Sequence, residues 1–224
     1  MKPVKKQERD TQSRLLESAC EIFARKGYRD ATLAEICEQA CANIAAANYY
    51  FRDKETLYTQ SWRLSFLRSI EKYPPDGGVS PDATPEERLR GRILSILCRV
   101  NDPNSHEFDV LYNELVNPTG LLLEVIRETV DPIRRGLFAL VKELLGANAS
   151  DVQIQLCQMS IRAQCFDLMM RKRRYQAAPE IRDEFTHPYL DVDVETLADH
   201  ILRFSLAGIR EIRTQINPET DKCS

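Results

Sequence analysis

The residues best suited to chemistry in this 224-residue chain lie within 32–58, and the chemistry is recognition rather than bond-making. Ile44, Ala45, Asn48 and Tyr49 share one face of a short helical pattern. An asparagine can pair bidentately with adenine, and isoleucine or alanine can touch a thymine methyl. The hydroxyls of Tyr49 and Tyr50 can reach phosphates. Lys54 follows at the start of the next helix, where backbone N–H groups also favour phosphate. Read as plain structure, the same spacing gives a three-helix core fragment with a surface asparagine, and spacing alone does not separate the two.

Local signals define the elements that must position this face. Thr32 and Glu35 have the spacing of a capping box, so Thr32 starts a helix. Leu33, Ile36, Cys37 and Ala40 then form one apolar stripe. Cys41-Ala42-Asn43 makes a tight turn, and Asn43 is a strong N-cap type for the helix 44–51. Within it Ala47 and Phe51, four apart, point inward. A preceding helix over 11–26 carries Leu15, Leu16, Ala19, Cys20, Ile22 and Phe23, with Gly27 as its stop. Asp53 caps a fourth helix over 54–72, with Tyr58, Trp62, Phe66 and Ile70 repeating every four residues. Two short helices joined by a tight turn follow helix-turn-helix logic.

Composition restricts the alternatives. With 43% hydrophobic and 29% charged residues and only 8 Gly, the chain reads as globular and helical. No stretch approaches 18 apolar residues, and the basic N-terminus lacks the apolar core of a signal peptide. The expectation is a cytoplasmic protein without a membrane partner. Residues 1–54 hold 10 basic and 8 acidic side chains, +2, against 21 and 26, −5, in the remainder. The N-terminal part is therefore the better face for a polyanion. The seven cysteines fit no zinc spacing and read as reduced, core-packing thiols rather than a redox switch. Glu184-Phe185-Thr186-His187 is a single E-x-x-H followed at once by Pro188, and Asp191-x-Asp193-x-Glu195 lacks the rest of a calcium loop. No nucleotide-binding or hydrolase motif occurs. No catalytic residue, metal site or cofactor is expected.

Beyond 72, the run Tyr73–Pro81 carries every turn signal and reads as a linker. Thr84, Pro85 and Glu87 open a helix over 85–100, and Asp102-Pro103 restarts another to about 116. Helix resumes from Gly120 to about 145, with a kink or break at Pro132. Ser150 caps a helix over 151–174, whose closing run Arg171-Lys172-Arg173-Arg174 suits a helix C-terminus. The last helix covers 194–215. These final two helices are each apolar on more than one face and need partners.

The stretch 14–58 resembles the DNA-binding domain of TetR-family transcriptional regulators. Phe23, Gly27, Thr32, Ile36, Ala40, Tyr49, Phe51, Lys54 and Leu57 fall where that pattern places them. Asn43-Ile44-Ala45-Ala46 with Asn48-Tyr49, the Glu114-Leu115-Val116-Asn117-Pro118-Thr119 segment and Phe204-Ser205-Leu206-Ala207-Gly208-Ile209 are similar to the CecR-type subgroup. Cys41 and Arg52 stand where glycine is common, and Tyr50 where histidine is common. A positive φ at Cys41 would cost a non-glycine residue about 1 kcal/mol.

The resemblance implies an all-α protein: a three-helix helix-turn-helix DNA-binding domain over 1–58 and a larger helical ligand-binding and dimerisation domain over 59–224. It implies a one-component regulator, a repressor released from a double-stranded DNA operator by a small-molecule effector. It also implies a homodimer whose last two long helices form a four-helix bundle across the two-fold axis. Thr32, Asn43, Ile44, Ala45, Asn48, Tyr49, Tyr50 and Lys54 would hold DNA. Trp62, Phe66, Leu97, Phe108, Tyr112, Met159, Phe166 and Met170 would line the effector pocket, although each also suits a plain core. The alternatives are a TetR-like DNA-binding or adaptor protein without an inducer, and a helical enzyme or carrier that binds no specific DNA.

Overall fold

The computed structural model describes the backbone of residues 3–177 and 192–217, and the side chains of 10–167 and 192–217. Every regular element among the described residues is an α-helix: α1 (Pro3–Asp30), α2 (Leu33–Gln39), α3 (Ile44–Phe51), α4 (Lys54–Lys72), α5 (Pro85–Asn101), α6 (Glu107–Val116), α7 (Leu123–Leu145), α8 (Asp151–Ala177) and α9 (Val194–Ile216). The chain packs as two compact units, Met1–Lys72 with Pro103–Asp131, and Tyr73–Asp102 with Pro132–Ser224.

The first unit is built on α1, α4 and α6, with α2 and α3 closing one end. α1 starts earlier than the apolar pattern suggests, at Pro3, a residue suited to a first helical turn. Gly27 breaks its dihedrals at φ 77, ψ 173. Asn113 on α6 packs beside that break: its amide donates to the carbonyls of Phe23 (3.0 Å) and Ala24 (2.8 Å), in the turn that precedes Gly27. Phe23 meets Tyr58 edge-on, with ring centroids 4.8 Å apart. Trp62 is fully buried, stacks on Phe66 at 5.3 Å, and donates its indole N–H to the Glu107 carbonyl at 3.1 Å. The Glu107 side chain is itself fully buried and accepts from the Ser69 hydroxyl at 2.8 Å.

In the second unit Leu89, Ile93 and Leu97 of α5, Leu137 and Val141 of α7, Ile154 and Ile161 of α8, and Ile201 and Ile209 of α9 share one apolar core. Arg90 ties α5 to α9 through Asp199 (2.8 Å) and Glu195 (2.6 Å). The turn-rich stretch after α4 is no free linker. Gly77, at φ 70, packs on Gly91 of α5, where an added Cβ would lie 2.3 Å from the Asp76 carbonyl oxygen.

Other boundaries also differ from expectation. Residues 102–106 are not helical, because Asp102 precedes proline and takes an extended conformation (φ −69, ψ 115). α7 starts at Leu123 rather than Gly120, since Glu114 holds the N–H groups of Thr119 (2.9 Å) and Gly120 (2.7 Å) in a turn. Pro132 lies inside an uninterrupted α7, yet the division between the two compact units falls at that residue.

The buried thiols behave as core groups. Burial pushes both Cys20 and Cys165 up to about 12, so they stay protonated at neutral pH. The E-x-x-H segment and the side chains of the run 171–174 lie outside the described residues. Asp193 is the N-cap of α9, with the Thr196 N–H donating to it at 2.9 Å.

Candidate nucleic-acid interface

Two caps set the geometry of the reading helix. Thr32 is extended (φ −117, ψ 148), and its hydroxyl accepts from the Glu35 N–H at 3.2 Å. The Glu35 carboxylate meanwhile pairs with Lys26, which holds it below the usual carboxylate range. Asn43 is also extended (φ −95, ψ 160) and accepts from the Ala46 N–H at 2.7 Å. Between these caps the chain reverses at Cys41 with φ 49. A left-handed cysteine there costs about 1 kcal/mol relative to glycine, as the sequence suggests.

α3 then has two opposed faces. Ala47 and Phe51 are buried against the unit, while Ile44, Ala45, Asn48 and Tyr49 are exposed. Ile44 is 49% and Tyr49 77% exposed. Tyr50 is half-buried and lies edge-on to Tyr49, with centroids 5.1 Å apart. The outward face is therefore neutral, part apolar and part hydrogen-bonding, which suits base edges and thymine methyls.

Lys54, expected only at the start of α4, lies against the end of α1. Its Nζ stands 4.5 Å above the centre of the Tyr28 ring and donates to the Arg29 carbonyl at 3.5 Å. Burial lowers its pKa from the ordinary lysine value, with Asp30 acting in the opposite direction. The side chain thus fastens the start of α4 to the end of α1. Tyr28, which sequence spacing does not single out, is the residue that positions it. Nor does spacing mark Arg52 as part of the site: it caps α3 at φ 62, ψ −49, and it is exposed. The N–H of Asp53 donates to the Phe51 carbonyl at 2.6 Å across it, a three-residue turn of the strained, positive-φ kind.

The eight candidate pocket residues fall in both units. Trp62, Phe66, Phe108 and Tyr112 belong to the first unit, and Leu97, Met159 and Phe166 to the second. Trp62, Phe66 and Leu97 are buried, whereas Phe108, Tyr112 and Phe166 are half-buried. Met159 is 60% exposed and shares a face of α8 with exposed Val152 and Leu156. The Met170 side chain lies outside the described residues. Among the described residues no group of His, Cys, Asp and Glu is arranged to hold a metal, and no helix is long and apolar enough to cross a membrane.

Comparison with known proteins extends these observations. Residues 15–60 match the family described as bacterial regulatory proteins, tetR family. Residues 85–209 match the C-terminal domain of the HTH-type transcriptional dual regulator CecR. The chain is 29% identical over 156 residues to the dual regulator CecR of Shigella flexneri, covering 63% of this chain and 68% of that protein. It is 24% identical over 115 residues to the uncharacterized HTH-type regulator TtgW of Pseudomonas putida, covering 51% of this chain and 81% of that one. For the regulator SrpR of Pseudomonas putida the match is 25% over 114 residues and spans 50% of this chain and 51% of the relative. In fold, the chain is similar to a TetR-like transcriptional regulator from Rhodococcus sp. RHA1, with a TM-score of 0.64 at 18% identity, covering 89% of this chain and 96% of that one. The fatty acid degradation regulator FadR from Bacillus halodurans gives the same TM-score and coverage at 16% identity.

Proposed function

This chain belongs to the TetR family of transcriptional regulators and carries a CecR-type C-terminal domain, and from that premise we propose that it is a repressor released from its operator by a small-molecule effector. The observation that carries the DNA side is the exposed, uncharged face of α3, aimed outward by the Asn43 cap and backed by buried Ala47 and Phe51. Residues 1–58 act as the DNA-binding domain and 59–224 as the regulatory and dimerisation domain. Ile44, Ala45 and Asn48 meet base edges. Tyr49, Tyr50 and Lys54 meet phosphates, while Thr32 and Asn43, the caps of α2 and α3, set the helix N-termini beside the DNA backbone.

One short helix makes few contacts, so two copies bind two half-sites about 34–36 Å apart. The homodimer forms through α8 and α9. Their second apolar faces support this: Val152, Leu156 and Met159 on α8 and Phe204 on α9 stay at least half exposed in the single chain. Met159 is better placed for that face than for a pocket wall. The effector binds among the helices of 59–224 and stabilises a dimer geometry whose reading helices no longer match successive major grooves. The protein works in the cytoplasm.

The test begins with fragments of the source genome selected by purified protein. Affinity for the best fragment is then measured at two salt concentrations. A tight, palindromic site supports the repressor reading, and its neighbouring genes nominate effectors. Weak binding to every fragment alike, steep in salt, defeats it. Light scattering at micromolar concentration that returns the mass of one chain defeats the dimer.

A further inference from the structure

We propose that Arg52 is a phosphate-binding residue of the DNA interface, held at the end of the reading helix by its strained turn; the inference rests on the DNA-binding reading of α3. Position comes first. The Arg52 N–H donates to the Asn48 carbonyl at 3.0 Å, so its Cα continues α3 by one turn beyond Asn48, at the edge of the outward face. Helix geometry ends there, because φ 62, ψ −49 lies outside the helical region.

Charge comes next. Ile44, Ala45, Asn48 and Tyr49 carry none, and Lys54, the other cation of the proposed interface, belongs to α4 and is held at the Tyr28 ring and the Arg29 carbonyl. A helix laid in a major groove lies between two phosphate backbones, and its affinity depends on cations at its edges. Arg52 is the cation that α3 itself ends on. Its side chain is exposed and makes no hydrogen bond or ion pair within the described residues. The neighbouring Asp53 carboxylate feels its charge, but that carboxylate is fixed on the Thr56 N–H at 2.8 Å as the cap of α4. The guanidinium fork is thus free to meet a phosphate, and its planar donors match phosphate oxygens in pairs.

The competing account is intrachain: a cation at the C-terminal end of α3 offsets the helix dipole. Strain separates the two. At this φ a glycine relieves the turn, whereas glutamine keeps the strain and removes only the charge. Arg52→Gly, Arg52→Gln and Arg52→Lys are compared with wild type in the full chain. Thermal melting is followed, together with binding to a mixed-sequence duplex of ~30 base pairs and to the best genomic fragment, at ~50 and ~200 mM salt. We expect Arg52→Gly to melt no lower than wild type, yet to bind both duplexes several-fold more weakly, with a salt slope shallower by about one per chain. Arg52→Gln shows the same binding loss, and Arg52→Lys keeps the slope. Wild-type affinity and slope in Arg52→Gly and Arg52→Gln, with only melting altered, would overturn the proposal and leave the dipole account. A wild-type protein that binds neither duplex would overturn the DNA reading of α3 together with it.

Discussion

The Tyr58 hydroxyl of α4 donates to the Glu114 carboxylate of α6 at 3.1 Å, across 56 residues of sequence. The same carboxylate accepts from the N–H groups of Thr119 and Gly120 and from the Thr119 hydroxyl. One side chain therefore joins the last residue of the DNA-binding stretch to the turn that precedes α7. Thr119, the last residue of the Glu114–Thr119 segment, supplies two of these donors, its N–H and its hydroxyl. Burial, reinforced by the Glu114 charge, raises the Tyr58 pKa and keeps its proton in place.

Glu114→Gln puts an amide N–H₂ where one of these donors points. The loss of a carboxylate acceptor bonded to backbone N–H groups should cost roughly 1–3 kcal/mol. Urea denaturation checks this. Wild-type stability in Glu114→Gln would mean that the turn holds without the carboxylate.

Asn48→Ala removes the one amide on the exposed face of α3. Operator affinity should fall by roughly 1–3 kcal/mol and discrimination at a single base pair should relax, with little change in fold stability. Binding titrations against a set of single-base operator variants read both effects. Unchanged affinity and unchanged base preference would mean that another residue reads that position.

Lys54→Ala should act on two quantities at once. It flattens the salt slope for every sequence alike, as loss of a phosphate contact does, by about one per chain. It also lowers fold stability, because the cation above Tyr28 at 4.5 Å goes with it, a contact worth about 0.5–1 kcal/mol at a partly exposed site. Tyr28→Leu separates these roles: it keeps the charge and loosens its position. A Lys54→Ala protein with the wild-type salt slope would show that the tether is the residue's whole role.

Cys41→Gly relieves the φ of 49 in the turn between α2 and α3. The gain is about 1 kcal/mol in the folded state, partly offset by the greater freedom of glycine in the unfolded chain. A melting temperature below that of wild type would show that the thiol contributes more to the turn than its dihedral takes away.

Gly91→Ala should be among the more damaging small substitutions in the second unit. The new methyl would lie 2.3 Å from the Asp76 carbonyl oxygen, a backbone atom with no flexible end to move. A loss of about 1–3 kcal/mol is expected, as for overpacking elsewhere. Calorimetry that finds Gly91→Ala as stable as wild type would mean the turn can leave α5 freely.

Much of the framework is determined by local sequence. The Asn43 cap and the opposed faces of α3, the bounds of α4, the Thr84–Glu87 capping box of α5 and the Asp193 cap of α9 rest on residues within four positions of one another. Helical periodicity and capping are interactions over that distance, so the sequence displays them directly. The all-helical class and the outward set Ile44, Ala45, Asn48 and Tyr49 follow from the same local rules.

Tertiary structure decided what depends on partners far along the chain. Lys54 reads only as a cation at the start of α4 until folding brings Tyr28 and the Arg29 carbonyl beneath it. Trp62 could line a pocket or a core by spacing; its stack on Phe66 and its bond to the Glu107 carbonyl place it in a core. Met159 and Leu97 read alike as apolar helix residues, yet one is exposed and the other is not, because α8 is apolar on more than one face. Periodicity says that a side chain faces one direction with its neighbours three and four away. Which body fills that direction is set by contacts tens of residues distant, and those exist only once the helices have packed.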